Sequence, residues 1–408
     1  MFGKRRNIAL LIPNMLACVH KTGKPQISGW EGNAMDTMTE FREVVDQPYA
    51  YLQKLKGQTG KKMVGYVCSY TPEEILLAAG AHPVRFFGTK EQIHLADSHL
   101  QSYSCSIVRG VLEEGLSGRI GFLDGMIFPH TCDSIQRLSD IWRMNIPFGF
   151  HLDLVLPVKL NTSSARDYMT DVLRKFQNDV GRALGVNITD DDLQKAIGTM
   201  NAIRQSIRDL YEIRSQYPHL LSGADLYTLV RASMMMDRER LAGMLAETAV
   251  KMKAKAVGEK PDASLKRIIL VGGMCNHPDI YPLIEEAGGA VVWDDFCTGA
   301  RYFTELVAGG DDPVAGIAER LIRRVVCPAK HAGLDRRAKH ILRLVREHNA
   351  RGVVFLLFKF CDPHAFDYPD IRKSMDEAGI PVLLLEMEDP LPGEGQLKTR
   401  FEAFLEMV

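Results

Sequence analysis

The 408-residue chain contains no C-x-x-C pair, no G-x-x-x-x-G-K-[ST] loop, no G-x-G-x-x-G fingerprint and no apolar run long enough to span a bilayer. Each absence removes a class of function. Without closely paired cysteines, a zinc ribbon or a ferredoxin-type ligand run is disfavoured. Without either glycine-rich loop, ATP or NAD chemistry is expected to belong to another protein. Without a stretch of about 20 apolar residues, no membrane span is expected. An excess of one charge is also missing. Lys plus Arg number 50 against 51 Asp plus Glu, a formal net charge of -1, so there is no electrostatic footprint for a nucleic-acid partner.

A hydrophobic content of 46% and a charged content of 25% are those of a soluble globular protein, and the length calls for two or three domains. Lys4-Arg5-Arg6 followed by Ile8-Ala-Leu-Leu-Ile12 has the outline of a signal peptide. Pro13 and Asn14 interrupt the run and no small-x-small site follows, so the expectation is a cytoplasmic protein with reduced thiols. The eight cysteines are therefore either inert core residues or ligands.

Gly65-Tyr-Val-Cys68-Ser-Tyr-Thr71-Pro72-Glu-Glu74 shows the recurring pattern. An apolar run suited to a buried strand ends at Val67, and Thr71, Pro72 and Glu74 then read as a helix start. Cys68 falls in the loop between them, at the edge of an open α/β sheet where ligands bind and helix N-termini point positive partial charge. Asp124-Gly-Met-Ile-Phe-Pro129 delivers His130-Thr-Cys132-Asp133 in the same way; Ile268-Ile-Leu-Val271 leads to Cys275, Ala290-Val-Val-Trp293 to Cys297, and Gly352 to Phe358 leads to Cys361. Core thiols are found inside strands and helices as readily as after them, so five thiols in strand-end loops point to ligands. The remaining cysteines have simpler settings. Asp97 to Glu114 has a helical period with Cys105 inside it, and Cys327-Pro328 follows a helix from Pro313 to near Arg324.

Residues 1 to 60 read as an N-terminal helical segment, with helix-compatible patches from Met35 to Leu55. Residues 61–162 form a first α/β domain, 163–262 a helical segment with a Lys-, Ala-, Gly- and Pro-rich linker from Lys251, and 263–408 a second α/β domain. In the helical segment Thr189-Asp190 can cap one helix, and Ser222 precedes a second reaching Met252. The Met234-Met-Met236 triplet is expected to pack rather than to ligate.

Thiols spread over nearly three hundred residues must be gathered by folding, at facing sheet edges. Soft thiolates beside helix-start N–H donors suit an iron–sulfur cluster, with dispersed zinc as the rival. Gly65 to Glu74, Ser104-Cys-Ser-Ile-Val-Arg109, His130-Thr-Cys-Asp133, Asp294-Asp-Phe-Cys-Thr-Gly-Ala-Arg301, Cys327-Pro, Phe360-Cys-Asp-Pro-His364 and Gly395-Gln-Leu-Lys-Thr-Arg400 together resemble the 2-hydroxyacyl-CoA dehydratase / benzoyl-CoA reductase superfamily. The similarity runs in order from about Lys61 to the C-terminus.

The resemblance implies two Rossmann-like, flavodoxin-like parallel-sheet domains with a helical segment and an oxygen-sensitive cluster between the domains. It implies a separate ATP-hydrolysing iron–sulfur activator that injects low-potential electrons, and a homodimer or a heterodimer with a paralogous subunit. Cys105, Cys132 and Cys361 correspond to the three ligands of a single [4Fe-4S] cluster. Cys68, Cys297 and Cys327 resemble three additional ligands of the double-cubane [8Fe-9S] branch, which makes that cofactor the first choice. Cys275 is open as a substitute for one of them, and Cys18 is expected to be structural. His130, His364 and Asp133 flank ligands and are the candidates for proton donation or hydrogen bonding to the site; Arg109, Arg301 and Arg400 are candidates for binding an anionic substrate or CoA phosphates. The reading is then a reductase of a small molecule at a double cubane. The alternatives are a dehydratase or benzoyl-CoA reductase subunit acting on a CoA thioester, and a non-catalytic cluster carrier.

Overall fold

Two parallel sheets, each wound in both directions from a central strand, carry the chain. The computed structural model describes residues 37–276, 280–324, 327–333, 335–387 and 393–408. The signal-like run near Lys4 and Cys18 lie outside the described residues.

Helices α1 (Thr37–Asp46) and α2 (Pro48–Thr59) lead into the first sheet. It contains β1 (Met63–Tyr66), α3 (Glu73–Ala78), β2 (His82–Arg85), α4 (Ser106–Leu116), β3 (Gly125–Pro129), α5 (Asp133–Asn145) and β4 (Phe150–Leu154). A helical layer follows: α6 (Ser163–Leu184), α7 (Asp190–Gln216), α8 (Gly223–Ser233) and α9 (Arg238–Ala256). The second sheet is built from β5 (Lys266–Gly272), α10 (Ile280–Glu286), β6 (Gly289–Asp295), α11 (Ala300–Phe303), α12 (Pro313–Arg323), α13 (Arg336–Glu347), β7 (Gly352–Phe358), α14 (Asp362–Glu377), β8 (Val382–Met387) and α15 (Glu394–Glu406). The strand orders are β2-β1-β3-β4 and β6-β5-β7-β8, and every pairing is parallel. These are two Rossmann-like domains of an α/β fold, as the alternation of strand and helix signals predicts. Strand order reverses between β1 and β3 and again between β5 and β7, which opens a crevice at the carboxyl ends of those strands in each sheet.

The helical layer ties the two sheets together. The first half of α7 buries Leu193 and Ile197 with Val64, Tyr66 and Ile127 of the first sheet. From Met200 onward it buries Met200, Ile203, Ile207 and Leu210 with Ile268, Leu270 and Val354 of the second. At 27 residues the helix is about 40 Å long, enough to serve both cores. Its start is the expected one: Thr189 Oγ1 accepts from Asp192 N–H at 3.2 Å while Asp192 accepts from Thr189 N–H at 3.1 Å, a reciprocal capping box.

Three expectations are corrected. The linker expected from Lys251 begins only after Ala256, because α9 continues to that residue. The helix after Ser222 does not run unbroken to Met252, because Asp237 accepts from Arg240 N–H at 3.2 Å and caps a new helix. The intervening Met234, Met235 and Met236 are buried, as packing residues should be, but their carbonyls also work: they accept from Arg85 N, His82 Nε2 and Arg238 Nη1. The helix expected from Asp97 to Glu114 is also broken. The Glu113 carboxylate binds the N–H groups of His94 and Ala96 and holds a 3-10 turn at Ala96–Ser98, so α4 begins only at Ser106. Cys105 is the N-cap residue rather than a residue inside the helix.

Candidate metal centre

Three cysteines occupy the same local position. Cys105, Cys132 and Cys361 are the N-cap residues of α4, α5 and α14. First-turn N–H groups act to lower each thiol, Ile107 and Val108 for Cys105, Ile135 for Cys132 and His364 for Cys361, although none of the three sulfurs accepts a capping hydrogen bond; Val108 and His364 N–H donate to the cysteines' own carbonyl oxygens at 3.1 Å. Such donors, with the helix dipole behind them, stabilise a thiolate or a sulfide bound to it. Burial works the other way and dominates, raising Cys105 and Cys361 and pushing Cys132 up to about 12.

Cys68, Cys297 and Cys327 are placed by loops. Cys68 follows β1 and accepts from Thr131 Oγ1 at 3.6 Å. Cys297 follows β6, and its N–H donates to Gly273 O at 2.8 Å. The segment around it explains its own sequence. Asp294 accepts from the N–H groups of Phe296 and Ala300, a Cβ on Gly299 would sit 2.1 Å from Asp294 Oδ1, and Thr298 Oγ1 accepts from Cys275 N–H at 3.0 Å. Asp295 faces Arg301 and Arg337, with Arg337 Nη1 at 2.6 Å.

Contacts between the two sheet edges bring these loops together. Ser69 Oγ donates to Cys297 O at 3.3 Å, Arg324 Nη1 to Ser69 O, Arg85 Nη2 to Met274 Sδ at 3.5 Å, and Asn276 Nδ2 to Phe87 O. As a result the thiols act on one another. Cys132 is raised further by Cys105, Cys68 and Cys327; Cys361 by Cys105, Cys132 and Cys327; burial pushes Cys327 up to about 11 with help from Cys297 and Cys68. Cys275 takes a different place. It is 1% exposed within the hydrophobic core of the second sheet.

Among the described residues no three His, Cys, Asp or Glu stand at the spacing of a single metal ion's ligands. Six thiols converge at wider spacing, and burial and neighbouring thiols disfavour the free anions of Cys132, Cys327 and Cys361, a repulsion that a polynuclear metal–sulfide group would remove by binding them as thiolates. The residues fit such a group.

The remaining candidates occupy distinct settings. His364 is 4% exposed, burial and then Arg301 and Arg337 hold it well below the usual imidazole range, and its Nδ1 has no partner. His130 is hydrogen bonded to Asp153 through Nε2 at 2.8 Å, and Asp133 is exposed on the first turn of α5. Arg301 is fully buried and committed to Gly273 O at 3.0 Å, Arg109 is paired with Asp97, and Arg400 lies on the surface with Nη2 2.7 Å from Leu384 O.

A cavity of about 1200 Å³ adjoins the thiols, lined by Ser104 and Ser106 on either side of Cys105 and by Phe360 next to Cys361. Its wall is basic, with Arg109, Arg119 and Arg231 among the lining. Arg231 comes from α8 and lies 4.2 Å over the Phe87 ring, so the helical layer contributes to the site. Sequence reasoning missed Arg231, and missed Arg85, Arg324 and Lys330, which are buried beside the loops of Cys68, Cys297 and Cys327. One signal was available: Arg324 and Lys330 flank Cys327 at three residues on either side.

Fold and site define a two-domain parallel α/β protein that gathers thiols from both domains beside a large basic cavity. The chain belongs to the 2-hydroxyglutaryl-CoA dehydratase D-component family, whose model matches residues 68–408, and it is an enzyme component. Among its relatives, the (R)-phenyllactyl-CoA dehydratase beta subunit of Clostridium sporogenes is 27% identical over 92% of this chain and 100% of that protein. A benzoyl-CoA reductase subunit of Thauera aromatica is 30% identical over 79% of this chain and 84% of its own length. The (R)-2-hydroxyglutaryl-CoA dehydratase beta subunit of Acidaminococcus fermentans is 26% identical over 90% of this chain and 98% of its length. Among the described residues no helix is long and apolar enough to cross a membrane.

Proposed function

We propose that the chain is the cluster-bearing subunit of an acyl-CoA dehydratase or reductase, working beside a partner subunit and fed electrons by a separate ATP-hydrolysing activator. The observation that carries this reading is the convergence of thiols from both domains beside a basic cavity of about 1200 Å³. The relatives' names, dehydratase beta subunits and a benzoyl-CoA reductase subunit, support the acyl-CoA class over the small-molecule reductase favoured on sequence alone.

Cys105, Cys132 and Cys361 would hold an iron–sulfur cluster with the N-terminal turns of α4, α5 and α14 behind them. When bound, the cluster supplies low-potential one-electron chemistry. The chain's own residues do the rest. Arg231, Arg109 and Arg119 line the cavity; Arg109 is held by Asp97 and Arg119 by Glu114, which leaves Arg231 the one of the three best suited to a phosphate group of a CoA ester. Phe360 holds a left-handed backbone at φ 63 and stands at the cavity wall directly before Cys361. His130, held by Asp153, and Asp133 and His364 flank the ligands and are the candidates for proton donation or hydrogen bonding to the site.

A second reading keeps the cofactor preferred on sequence, the double-cubane [8Fe-9S] group, because Cys68, Cys297 and Cys327 join the same electrostatic cluster of thiols. Iron and acid-labile sulfide per chain of anaerobically purified protein separate the two. About four irons support a single [4Fe-4S] cluster, about eight support the double cubane, and a colourless zinc protein refutes both.

A further inference from the structure

The two trios of thiols are stabilised by different devices. Cys105, Cys132 and Cys361 each sit on a helix N-terminus, and the helices are 11, 13 and 16 residues long. Cys68, Cys297 and Cys327 have buried side-chain cations around them instead. Arg85 and Arg324 are each 1% exposed and Lys330 is 4% exposed.

These three cations have neutral partners. Arg85 donates through Nη1 to Ser69 Oγ at 2.5 Å and through Nη2 to Met274 Sδ at 3.5 Å. Arg324 donates to Ser69 O, and its guanidinium lies 4.5 Å over the Tyr70 ring, while its Nε has no partner. Lys330 reaches Leu156 O at 3.3 Å, with Nζ 5.8 Å from the centre of the same Tyr70 ring. None of the three makes an ion pair with a carboxylate among the described residues. Arg301 is different, since Asp295 faces it, with Nε and Oδ1 3.8 Å apart.

Buried charge is normally paired, because removing an ion from water without a counter-charge is costly. Three unpaired cations around one trio of thiols therefore call for an anion between them.

We propose that Arg85, Arg324 and Lys330 are charge-compensating residues for an anionic metal–sulfide group held by Cys68, Cys297 and Cys327, and that they make this half of the centre the first to take up an electron from an external one-electron donor. The proposal rests on the double-cubane reading of the site. A negative charge added beside three fixed cations is stabilised, whereas the helix-terminal half offers only partial charges, which fade within a turn.

Arg324→Gln and Lys330→Met test it by two readouts that do not need turnover. In a redox titration of the loaded protein with a one-electron mediator, each variant is expected to bind the first electron at least tenfold more weakly, a midpoint about 59 mV lower. In melting experiments on the metal-free protein, Lys330→Met is expected to match or exceed the parent, because an unpaired buried ammonium has been removed. An unchanged midpoint at full iron content overturns the proposal, and so does a metal-free Lys330→Met that loses as much stability as the loaded one, since the lysine would then be a structural prop. Four irons per chain with spectra unaffected by Cys297→Ser also overturn it while leaving the single-cluster reading standing; a protein that takes up no iron refutes that reading itself.

Discussion

Arg238→Met gives the sharpest test of how the helical layer fixes the Cys68 loop. Arg238, the first residue of α9, is 1% exposed, and Glu73, the first residue of α3, is 4% exposed. Arg238 Nε and Nη2 donate to Glu73 Oε2 at 3.1 and 2.7 Å, Tyr66 OH donates to Glu73 Oε1 at 2.7 Å, and Arg238 also serves the carbonyls of Met236 and Pro83. Methionine fills much of the same space and removes all four of the bonds that Arg238 donates. The carboxylate is left buried with Tyr66 as its one strong donor, a situation that costs about 3–5 kcal/mol in buried pairs broken from one side. Replacing both residues, Glu73→Gln with Arg238→Met, removes the stranded charge, so the double variant should recover most of that loss. Urea unfolding of metal-free protein followed by circular dichroism, with the four proteins of the cycle compared, reads the coupling directly. A single-variant cost below about 1 kcal/mol, or a double variant as weak as the sum of the singles, would show that the pair does not hold α3 to α9.

Acid sensitivity should have an identifiable source in His82, whose imidazole is held down at about 3 by burial and then by the Arg238 charge. The native state keeps the ring neutral, so its contribution is complete above about pH 6.5 and is lost as pH falls from there toward 3, by at most about 5 kcal/mol at 1.36 kcal/mol per unit. His82→Gln, which can still donate to Met235 O, should flatten that acid limb, and an identical slope would exclude His82 as its cause. Gly299→Ala should cost about 1–3 kcal/mol by overpacking, because the new Cβ meets an Asp294 oxygen already fixed by two N–H groups, and it should lower iron content by moving Cys297; a variant with parental melting and iron would show that the turn yields. Serine at Cys105, Cys132 or Cys361 should remove most of the iron on either cluster reading. Serine at Cys297 or Cys327 should do so only if the second trio binds metal, and full iron with an unchanged spectrum would remove those two from the ligand set.

The chain declares its local events clearly. Apolar runs four to seven residues long announce the strands, and Thr189 and Ser222 announce their helices through N-cap bonds, because strand burial and N-cap chemistry act over a few neighbouring residues. Thr71 does not do so, since Pro72 is the N-cap residue of α3 and Glu74 is taken by Arg204. Five thiols in strand-end loops were legible for the same reason, as was the packing role of Met234, Met235 and Met236. Events that depend on distant partners were not. The start of α4 at Ser106 is set by Glu113 reaching back to the N–H groups of His94 and Ala96, which a helical period cannot reveal. Cys275 and Cys297 both follow strands, yet one enters the core of the second sheet and the other joins the thiols, and only the packing of the two sheets against α7 separates them. Arg85 and Arg324 are 239 positions apart by number, and the sequence alone gives no reason to bring them to one serine. The sequence by itself determined the α/β alternation and put thiols at strand ends, since short-range sterics and burial decide both. The tertiary structure decided which thiols meet and which cations lie unpaired beside them, because the energy of a buried charge depends on what long-range packing places next to it.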